Sequence, residues 1–310
     1  MKMRWKGFLA VTGVIMVITL AWIGLIGAMG YFELDREEIT RTFVLDPGSN
    51  LTVENYDGKT EIDLWDGESV EVKFIKKTRF GKDELDKVNL DIEDQGDLFI
   101  GLERERYVDW VETDFEIRVP SSVNVSRVKN QLGKIVIEGV SGNLTVISDS
   151  GGVSIENVDS IRKVSSSSGG IEIRNCGYVN TVTADNGGIL IEDCDHVRYV
   201  KVNNGGIMVR RTGLLEEASA ENGGIDIEVR DILPGGMLFS AENGGIMVKI
   251  PESIEADFDM RVENGEVQLK DFQDRAYDID EETEKAGSVN GGGPLIKARA
   301  ENGGIIIEGV

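Results

Sequence analysis

The most informative stretch of the chain runs Asn186-Gly187-Gly188-Ile189-Leu190-Ile191-Glu192. Close variants of its first four residues return at a fixed distance of 18 residues, and the second glycines of successive copies are Gly152, Gly170, Gly188, Gly206 and Gly224. Two steps of 21 residues lead to Gly245 and Glu266, and Gly304 ends the series after a longer interval. A fixed period of this size indicates stacked structural repeats.

Each repeat is predicted to contain two short strands and two turns. The glycines are followed by an alternating segment such as Ile171-Glu172-Ile173-Arg174, and a second strand such as Val179–Ala184 comes next. The period of two and the β-branched residues favour strands over helices. Stacking the repeats in chain order aligns an apolar column: Ile135, Val153, Ile171, Ile189, Ile207, Ile225, Ile246, Val267 and Ile305. The sequence therefore predicts an all-β fold, a parallel, β-helix-like β-solenoid with 18-residue rungs.

The turns of the repeat favour the same fold. Asn-Gly pairs tolerate positive φ, and asparagines stacked at rung spacing can bond amide to amide along the axis. We expect such a structural turn ladder from Asn186, Asn204, Asn222, Asn243, Asn264 and Asn302. A phosphate-binding glycine loop is the alternative, but neither a helix nor a Lys-Ser/Thr pair follows the glycines.

The N-terminus carries a different signal. Residues Gly7–Phe32 contain no charged side chain, and Lys2, Arg4 and Lys6 precede them, whereas mostly acidic residues follow. This length and charge asymmetry predict one transmembrane helix, with residues 1–6 as a cytoplasmic tail and the rest of the chain outside. A cleaved signal peptide is the alternative, although its apolar region is usually shorter. Both readings export the remaining chain to the extracytoplasmic side of the cell membrane.

The exported part divides into two regions. Residues 33–115 are predicted to form longer strands that open and cap the solenoid, and residues 116–310 to form its repeats. A polar, acidic loop insertion is expected at 271–298. The chain stops at Gly304–Val310, an apolar strand, so we expect an edge there that the loop covers or that pairs with a second copy or a partner.

Composition narrows the function. The chain has 33 Lys and Arg against 56 Asp and Glu, a formal net charge of −23 that excludes a nucleic-acid partner. One His and two Cys exclude most histidine-based catalysis and multi-cysteine zinc sites. We therefore expect no enzyme activity, no cofactor and no metal site. Bound Ca²⁺ along the acidic column that ends in Glu221, Glu242, Glu263 and Glu301 is the alternative to a solvated acidic face.

The two cysteines, Cys176 and Cys194, are one repeat apart. They are predicted to be neighbours on adjacent rungs, about 4.8 Å apart at Cα, within the range that a disulfide allows. Two buried, reduced thiols that pack as small apolar groups are the alternative.

The opening strand Leu51–Gly58, the steps Val119–Val123 and Ile250–Ile254, and the Glu-Asn-Gly-Gly-Ile rungs together resemble the bacterial and archaeal "putative adhesin" family of β-strand-repeat ectodomains, a domain of unknown function. The resemblance covers about residues 40–310 and implies the architecture and an adhesin-like role. It supplies no catalytic residue. We therefore expect a binding or structural role at the cell envelope, with a glycan or protein partner. An accessory protein of an envelope-sensing or transport system, and a polysaccharide-active β-helix enzyme, are the alternatives.

Overall fold

The computed structural model describes residues 34–106, 108 and 110–310. The predicted cytoplasmic tail and the predicted membrane segment Gly7–Phe32 lie outside these residues. Within the described ranges, no helix has the length and apolar character needed to cross a membrane. One short 3-10 helix, Lys82–Lys87, occurs there among the strands.

The described residues form 27 strands, which we number along the chain. They are β1 (Asp35–Phe43), β2 (Asn50–Asp57), β3 (Thr60–Trp65), β4 (Val70–Thr78), β5 (Val88–Asp94), β6 (Leu98–Arg104), β7 (Glu112–Pro120), β8 (Asn124–Leu132), β9 (Ile135–Glu138), β10 (Asn143–Ser150), β11 (Val153–Glu156), β12 (Ser160–Ser168), β13 (Ile171–Arg174), β14 (Tyr178–Asn186), β15 (Ile189–Glu192), β16 (His196–Asn204), β17 (Ile207–Thr212), β18 (Leu214–Asn222), β19 (Ile225–Val229), β20 (Met237–Asn243), β21 (Ile246–Ile250), β22 (Ala256–Asn264), β23 (Val267–Lys270), β24 (Arg275–Asp280), β25 (Glu284–Val289), β26 (Leu295–Asn302) and β27 (Ile305–Gly309).

These strands make two large, mostly parallel sheets. Sheet I has the order β1-β4-β7-β3-β9-β11-β13-β15-β17-β19-β21-β27-β23, and sheet II has the order β24-β25-β22-β26-β20-β18-β16-β14-β12-β10-β8-β2-β6-β5. Each rung of the stack contributes one strand to each sheet. The arrangement is all-β and consistent with the predicted β-solenoid. The rungs stack directly because the 18-residue period returns every residue to the same phase, as in the pair Ile171 and Ile189.

The hydrophobic core lies between the two sheets. Ile189 and Ile191 of sheet I are 2% and 0% exposed, whereas Leu190 between them faces outward and is only partly buried. Val200 and Val202 of sheet II are both fully buried. Because side chains alternate along a strand, a period of two places one column in the core and the next at the surface.

The order of rungs departs from the chain order at both ends. At the N-terminal end, β3 lies between β7 and β9, so Thr60 and not Ile117 pairs with Ile135. At the C-terminal end, β27 lies between β21 and β23, and Ile305 pairs with both Ile246 and Val267. The predicted order of the last three rungs is therefore wrong. The outer rung, β22–β23, comes earlier in the chain than the rung β26–β27, which lies between it and β20–β21.

This return also corrects the prediction of a C-terminal edge strand. β27 has a hydrogen-bonded neighbour on each side, so the strand that ends the chain is not available for pairing with a second copy. The expected loop insertion at 271–298 is largely strand: β24 and β25 form a hairpin, and β25 pairs antiparallel with β22. The turn between β24 and β25 also contacts sheet I. There the carbonyl oxygen of Glu282 accepts a hydrogen bond from the backbone N–H of Val267 at 2.9 Å.

Antiparallel strands close the other end as well. β4 pairs with β7 and β1 pairs with β4 in sheet I, while β5 pairs with β6 in sheet II. β7 crosses the predicted region boundary between 115 and 116, and the strands of 33–115 continue the same two sheets. The parallel rungs of sheet II thus lie between antiparallel strands at both ends, whereas sheet I has antiparallel strands only at its N-terminal end and finishes with the parallel strand β23 at the other.

Candidate binding surfaces

Sheet I carries an open, mainly apolar groove of about 850 Å³ on its outer face. It runs along the stack beside the turns, and its floor is the column of second glycines. The groove is lined by Lys134, Gly152, Val153, Ser154, Gly170, Ile171, Glu172, Gly188, Ile189, Leu190, Gly206, Ile207, Met208, Gly224, Ile225 and Asp226.

The two glycines of each turn differ in what the backbone requires. Gly187 has φ +145°, and a Cβ there would lie 2.4 Å from the carbonyl oxygen of Gly169. Gly188 has a φ outside the left-handed region, and its Cβ would lie an ordinary 3.5 Å from the nearest atom, the Gly206 oxygen. Lys134 and Glu266 take the position of the second glycine in their own turns. The first glycine is therefore a conformational requirement, while the second leaves the groove floor open.

Several charged side chains around this groove pair with one another. Arg174 binds Glu192 at 2.9 Å, and Arg210 binds Asp226. In the neighbouring turn Arg211 lies 2.7 Å from Asp193. Its hydrogen bond lowers the pKa of the Asp193 carboxyl. The charged residues of the lining itself are Lys134, Glu172 and Asp226.

Sheet II carries a second cavity, of about 740 Å³, where a loop overhangs the strands. The repeat lengthens from 18 to 21 residues after Gly224, and the additional residues form the turn Leu233–Gly236, closed by a 2.8 Å hydrogen bond from Gly236 N to Leu233 O. A Cβ on Gly236 would lie 2.1 Å from the Leu295 oxygen, so only glycine allows this turn to approach β26. The longer rung thus builds one wall of a pocket.

The lining of this pocket combines apolar and hydrogen-bonding groups. We call it the loop pocket and define it by Thr181, Arg198, Tyr199, Glu216, Glu217, Leu233, Pro234, Gly235, Gly236, Met237, Leu238, Leu295 and Lys297. Leu238 and Leu295 are 39% and 43% exposed. The two acidic and two basic side chains balance, so the pocket is close to neutral within a strongly acidic protein.

A polar cluster continues from the loop pocket along sheet II. His196 Nε2 lies 2.9 Å from Glu216 Oε1, and Arg198 Nε lies 3.6 Å from Glu216 Oε2. Arg198 also donates to Asn180 Oδ1 at 3.2 Å. The ring of Tyr178 packs edge-on against His196 with centroids 5.2 Å apart. His196 begins β16 and is partly buried by these neighbours.

Tyr199, Glu216 and Glu217 were not among the site residues expected from the sequence. One signal was present: Arg198 and Glu216 are opposite charges 18 residues apart, which is the spacing of neighbours on adjacent rungs. The part played by Tyr199 depends on the overhanging loop, and no local spacing indicates it.

The six asparagines of the turns form one hydrogen-bonded ladder, in spatial and not chain order. Each amide donates to the preceding Oδ1 at 3.0 to 3.2 Å: Asn204 to Asn186, Asn222 to Asn204, Asn243 to Asn222, Asn302 to Asn243 and Asn264 to Asn302. The ladder ties five pairs of adjacent rungs together outside the core.

Cys176 and Cys194 lie on adjacent rungs and are 3% and 0% exposed. Both are free thiols, donating to the carbonyl oxygens of Arg174 and Glu192 at 3.2 and 3.4 Å. Hydrogen bonding to Cys176, together with burial, raises the pKa of Cys194. The geometry therefore describes two buried sulfurs on adjacent rungs; a disulfide between them stays a prediction.

Among the residues that the structure describes, no group of three or more His, Cys, Asp or Glu side chains is arranged to hold a metal ion. The acidic column follows the rung order, so Glu301 lies between Glu242 and Glu263. All three side chains are exposed to solvent. Lys201 Nζ lies 3.0 Å from Glu221 Oε1 and partly neutralises the end of the column.

No protein-family model matches this chain, and neither does any curated protein. Solved structures that are similar to it include a "putative adhesin" from Bacteroides fragilis, with 15% identity, a TM-score of 0.42 and coverage of 88% of this chain and 97% of that one. Another, from Parabacteroides merdae, has 12% identity, a TM-score of 0.38 and coverage of 90% and 97%. A "putative cell adhesion protein" from Clostridium sporogenes has 11% identity, a TM-score of 0.22 and coverage of 88% and 100%.

The names of these structures agree with the family that the sequence motifs resemble. Identities of 11 to 15% and TM-scores below 0.5 are too low to carry a function from them to this chain.

Proposed function

We propose that this protein is an adhesin-like binding module, anchored in the cell membrane by residues 7–32, whose exported β-solenoid binds an envelope glycan without turning it over. The observation that carries the proposal is the loop pocket of sheet II. The groove of sheet I is larger, but its lining is mainly apolar, and Lys134, Glu172 and Asp226 are its only charged residues among those described.

The chemistry of the loop pocket suits a sugar. A sugar ring has apolar C–H faces and a rim of hydroxyl groups that both donate and accept hydrogen bonds. Tyr199 and Leu238 provide apolar surface, and Glu217 and Arg198 provide an acceptor and donors. Such a combination, in a concave site with few polar groups, is typical of small-ligand recognition.

The electrostatics narrow the ligand class. The net charge of −23 repels polyanionic glycans at long range. The loop pocket itself contains Arg198 and Lys297 against Glu216 and Glu217. A neutral or amphoteric glycan therefore fits better than an acidic one.

The binding test uses the full chain in detergent on a panel of neutral and acidic cell-wall polysaccharides. Retention of neutral glycans, about tenfold weaker for Tyr199→Ala and Glu217→Gln, is the expected result. Tyr277→Ala, on the hairpin β24–β25, is the matched control and should bind normally. Release of soluble products, or equal binding by all variants, would contradict the proposal.

The topology test uses tags at the two ends of the chain in intact cells. Protease added outside should digest a tag after Val310 and spare a tag before Met1. Protection of the C-terminal tag would overturn the exported orientation.

A further inference from the structure

Three chain segments meet at one corner of sheet I. β1 begins with Asp35, which pairs with Thr78 at the end of β4, and Lys77 of β4 pairs with Glu112 at the start of β7. Leu34, the segment 79–82 and Trp110 therefore lie at the same corner of the sheet. Thr78 confirms the proximity, since its Oγ1 donates to the Trp110 carbonyl oxygen at 3.0 Å.

This corner exposes large apolar side chains. Phe80 is 70% exposed, Trp110 is 40% exposed and Leu34 is 50% exposed. The two aromatic rings pack together with centroids 5.9 Å apart. We call Leu34, Phe80 and Trp110 the aromatic corner.

Trp110 is held in a fixed orientation although its ring is exposed. Its indole Nε1 donates to Glu84 Oε2 at 2.6 Å, and Lys87 Nζ lies 5.9 Å from the ring centroid. The same Glu84 accepts from Lys87 at 2.7 Å, and these two bonds lower the pKa of its carboxyl. The Glu84 carboxylate therefore stays ionised and positions the indole while leaving part of its apolar face outward.

The position of the corner in the chain indicates what covers it. The uncharged run Gly7–Phe32 ends two residues before Leu34. Two residues span at most about 7 Å. The polar interface on each side of a bilayer is about 5 to 8 Å thick. If the run crosses the membrane, Leu34 and the aromatic rings beside it lie at the level of the lipid headgroups.

The side chains of the corner match that environment. Trp and other amphipathic aromatic residues concentrate at membrane interfaces, and basic side chains near them reach the headgroup phosphates. Arg79 and Lys82 flank Phe80 and are exposed, but Asp83 and Asp86 follow directly. The mixed charge makes apolar insertion, and not electrostatic attraction, the main contribution.

We propose that the aromatic corner inserts into the interface of the bilayer that holds the anchor, and that it fixes the solenoid against the membrane. The inference rests on the membrane anchor of the proposed function. It adds a second point of contact, so that the rung stack keeps a defined orientation instead of swinging on a single linker.

The test uses the full chain reconstituted in phosphatidylcholine vesicles, in a Cys176→Ala/Cys194→Ala background. An environment-sensitive fluorophore is attached at Lys82→Cys, two residues from Phe80, and in a second sample at Tyr277→Cys on the far hairpin. Lipids with a nitroxide near the headgroup should reduce the fluorescence at position 82 by about twofold or more and leave position 277 unchanged.

Phe80→Ser/Trp110→Ser separates insertion from mere tethering. In this variant the quenching at position 82 should fall to the level at position 277. Undiminished quenching would overturn the role of the aromatic corner, as would equal quenching at both positions in the parent chain. Vesicle flotation separates the two proposals: a chain that does not float overturns the anchor and the corner with it, whereas a floating chain without quenching overturns the corner alone.

Discussion

The side-chain amide of Asn302 donates to Asn243 Oδ1 at 3.0 Å across 59 residues of sequence. On its other side Asn302 accepts from Asn264 at 3.1 Å. The last rung of the chain therefore occupies an interior place in the ladder. Both the first and the last two-stranded rungs of the chain, β2–β3 and β26–β27, lie inside the stack, so neither can separate from one end without breaking two rung interfaces.

Asn302→Ala should destabilise the protein more than Asn264→Ala. The first substitution removes two ladder hydrogen bonds and the second removes one. Each such bond contributes about 0.5–1.5 kcal/mol net. We therefore expect a loss of about 1–3 kcal/mol for Asn302→Ala, and of about 0.5–1.5 kcal/mol for Asn264→Ala. Urea unfolding followed by circular dichroism measures both. Equal losses would show that the ladder does not act as a chain of pairwise bonds.

The periodic part of the fold was predictable because the evidence for it is local. The 18-residue period fixes the phase of every rung, and Ile171, Ile189 and Ile207 pair as expected. The order of rungs at the ends was not predictable from this pattern. Ile305 and Val267 occupy the same position of the repeat. The rung of either residue could therefore place an apolar side chain beside Ile246. The repeat period therefore determines which side chains of a rung face the core, but it does not determine which rung lies next to it.

The candidate site was less predictable than the fold. The pairing of Arg198 with Glu216 follows from their 18-residue spacing, and that of Asp193 with Arg211 follows in the same way. The loop pocket depends instead on where the turn Leu233–Gly236 lies, which the packing of Gly236 against β26 determines. That contact joins segments about three rungs apart in sequence.

Gly187→Ala and Gly188→Ala should have opposite consequences. Gly187 has φ +145° and no space for a Cβ, so alanine there should cost about 2 kcal/mol or more. Gly188 has an ordinary φ and open space, so alanine there should be neutral or stabilise by up to about 1 kcal/mol. Thermal unfolding of the two variants decides the point. A large loss for Gly188→Ala would contradict the distinction between the two columns.

Ile191→Asp and Leu190→Asp test the two faces of sheet I. Ile191 is fully buried, so an unpaired carboxylate there should lower the free energy of unfolding by about 3 kcal/mol or more. Leu190 faces outward beside Glu172, so the second variant should lose about 1 kcal/mol at most, through repulsion between like charges. Denaturant unfolding gives both values. Similar losses for the two would mean that the faces are wrongly assigned.

Deletion of residues 275–290 should expose a sheet edge. These residues include the hairpin whose strand β25 pairs with β22, so the deletion leaves the β22 backbone without a neighbour on one side. Unpaired strand edges promote association. We expect dimers or larger species by light scattering, with the sheet signal in circular dichroism retained. A folded, monomeric deletion variant would show that the hairpin is not needed to protect this edge.

Asp57→Asn should stabilise the protein at neutral pH. Burial, followed by the charge of Glu112, raises the pKa of the Asp57 carboxyl above its usual 3.8. In the window between the unfolded and the folded pKa, the native state binds more protons than the unfolded state, so the stability falls as the pH rises through it. The asparagine variant lacks this loss. Its advantage over the parent should appear at pH 7 and vanish near pH 3, where both side chains are uncharged.

Asp193→Asn is the control of opposite sign for this prediction. The hydrogen bond from Arg211 lowers the pKa of Asp193, so its ionised form stabilises the native state above the unfolded pKa and loses that effect as the pH falls. Asn also tolerates the φ of 53° at this position. We therefore expect Asp193→Asn to be less stable than the parent at pH 7 and to approach it near pH 3. Urea unfolding of the three proteins at both pH values gives the comparison, and a shift in the same direction for both variants would contradict the assigned causes.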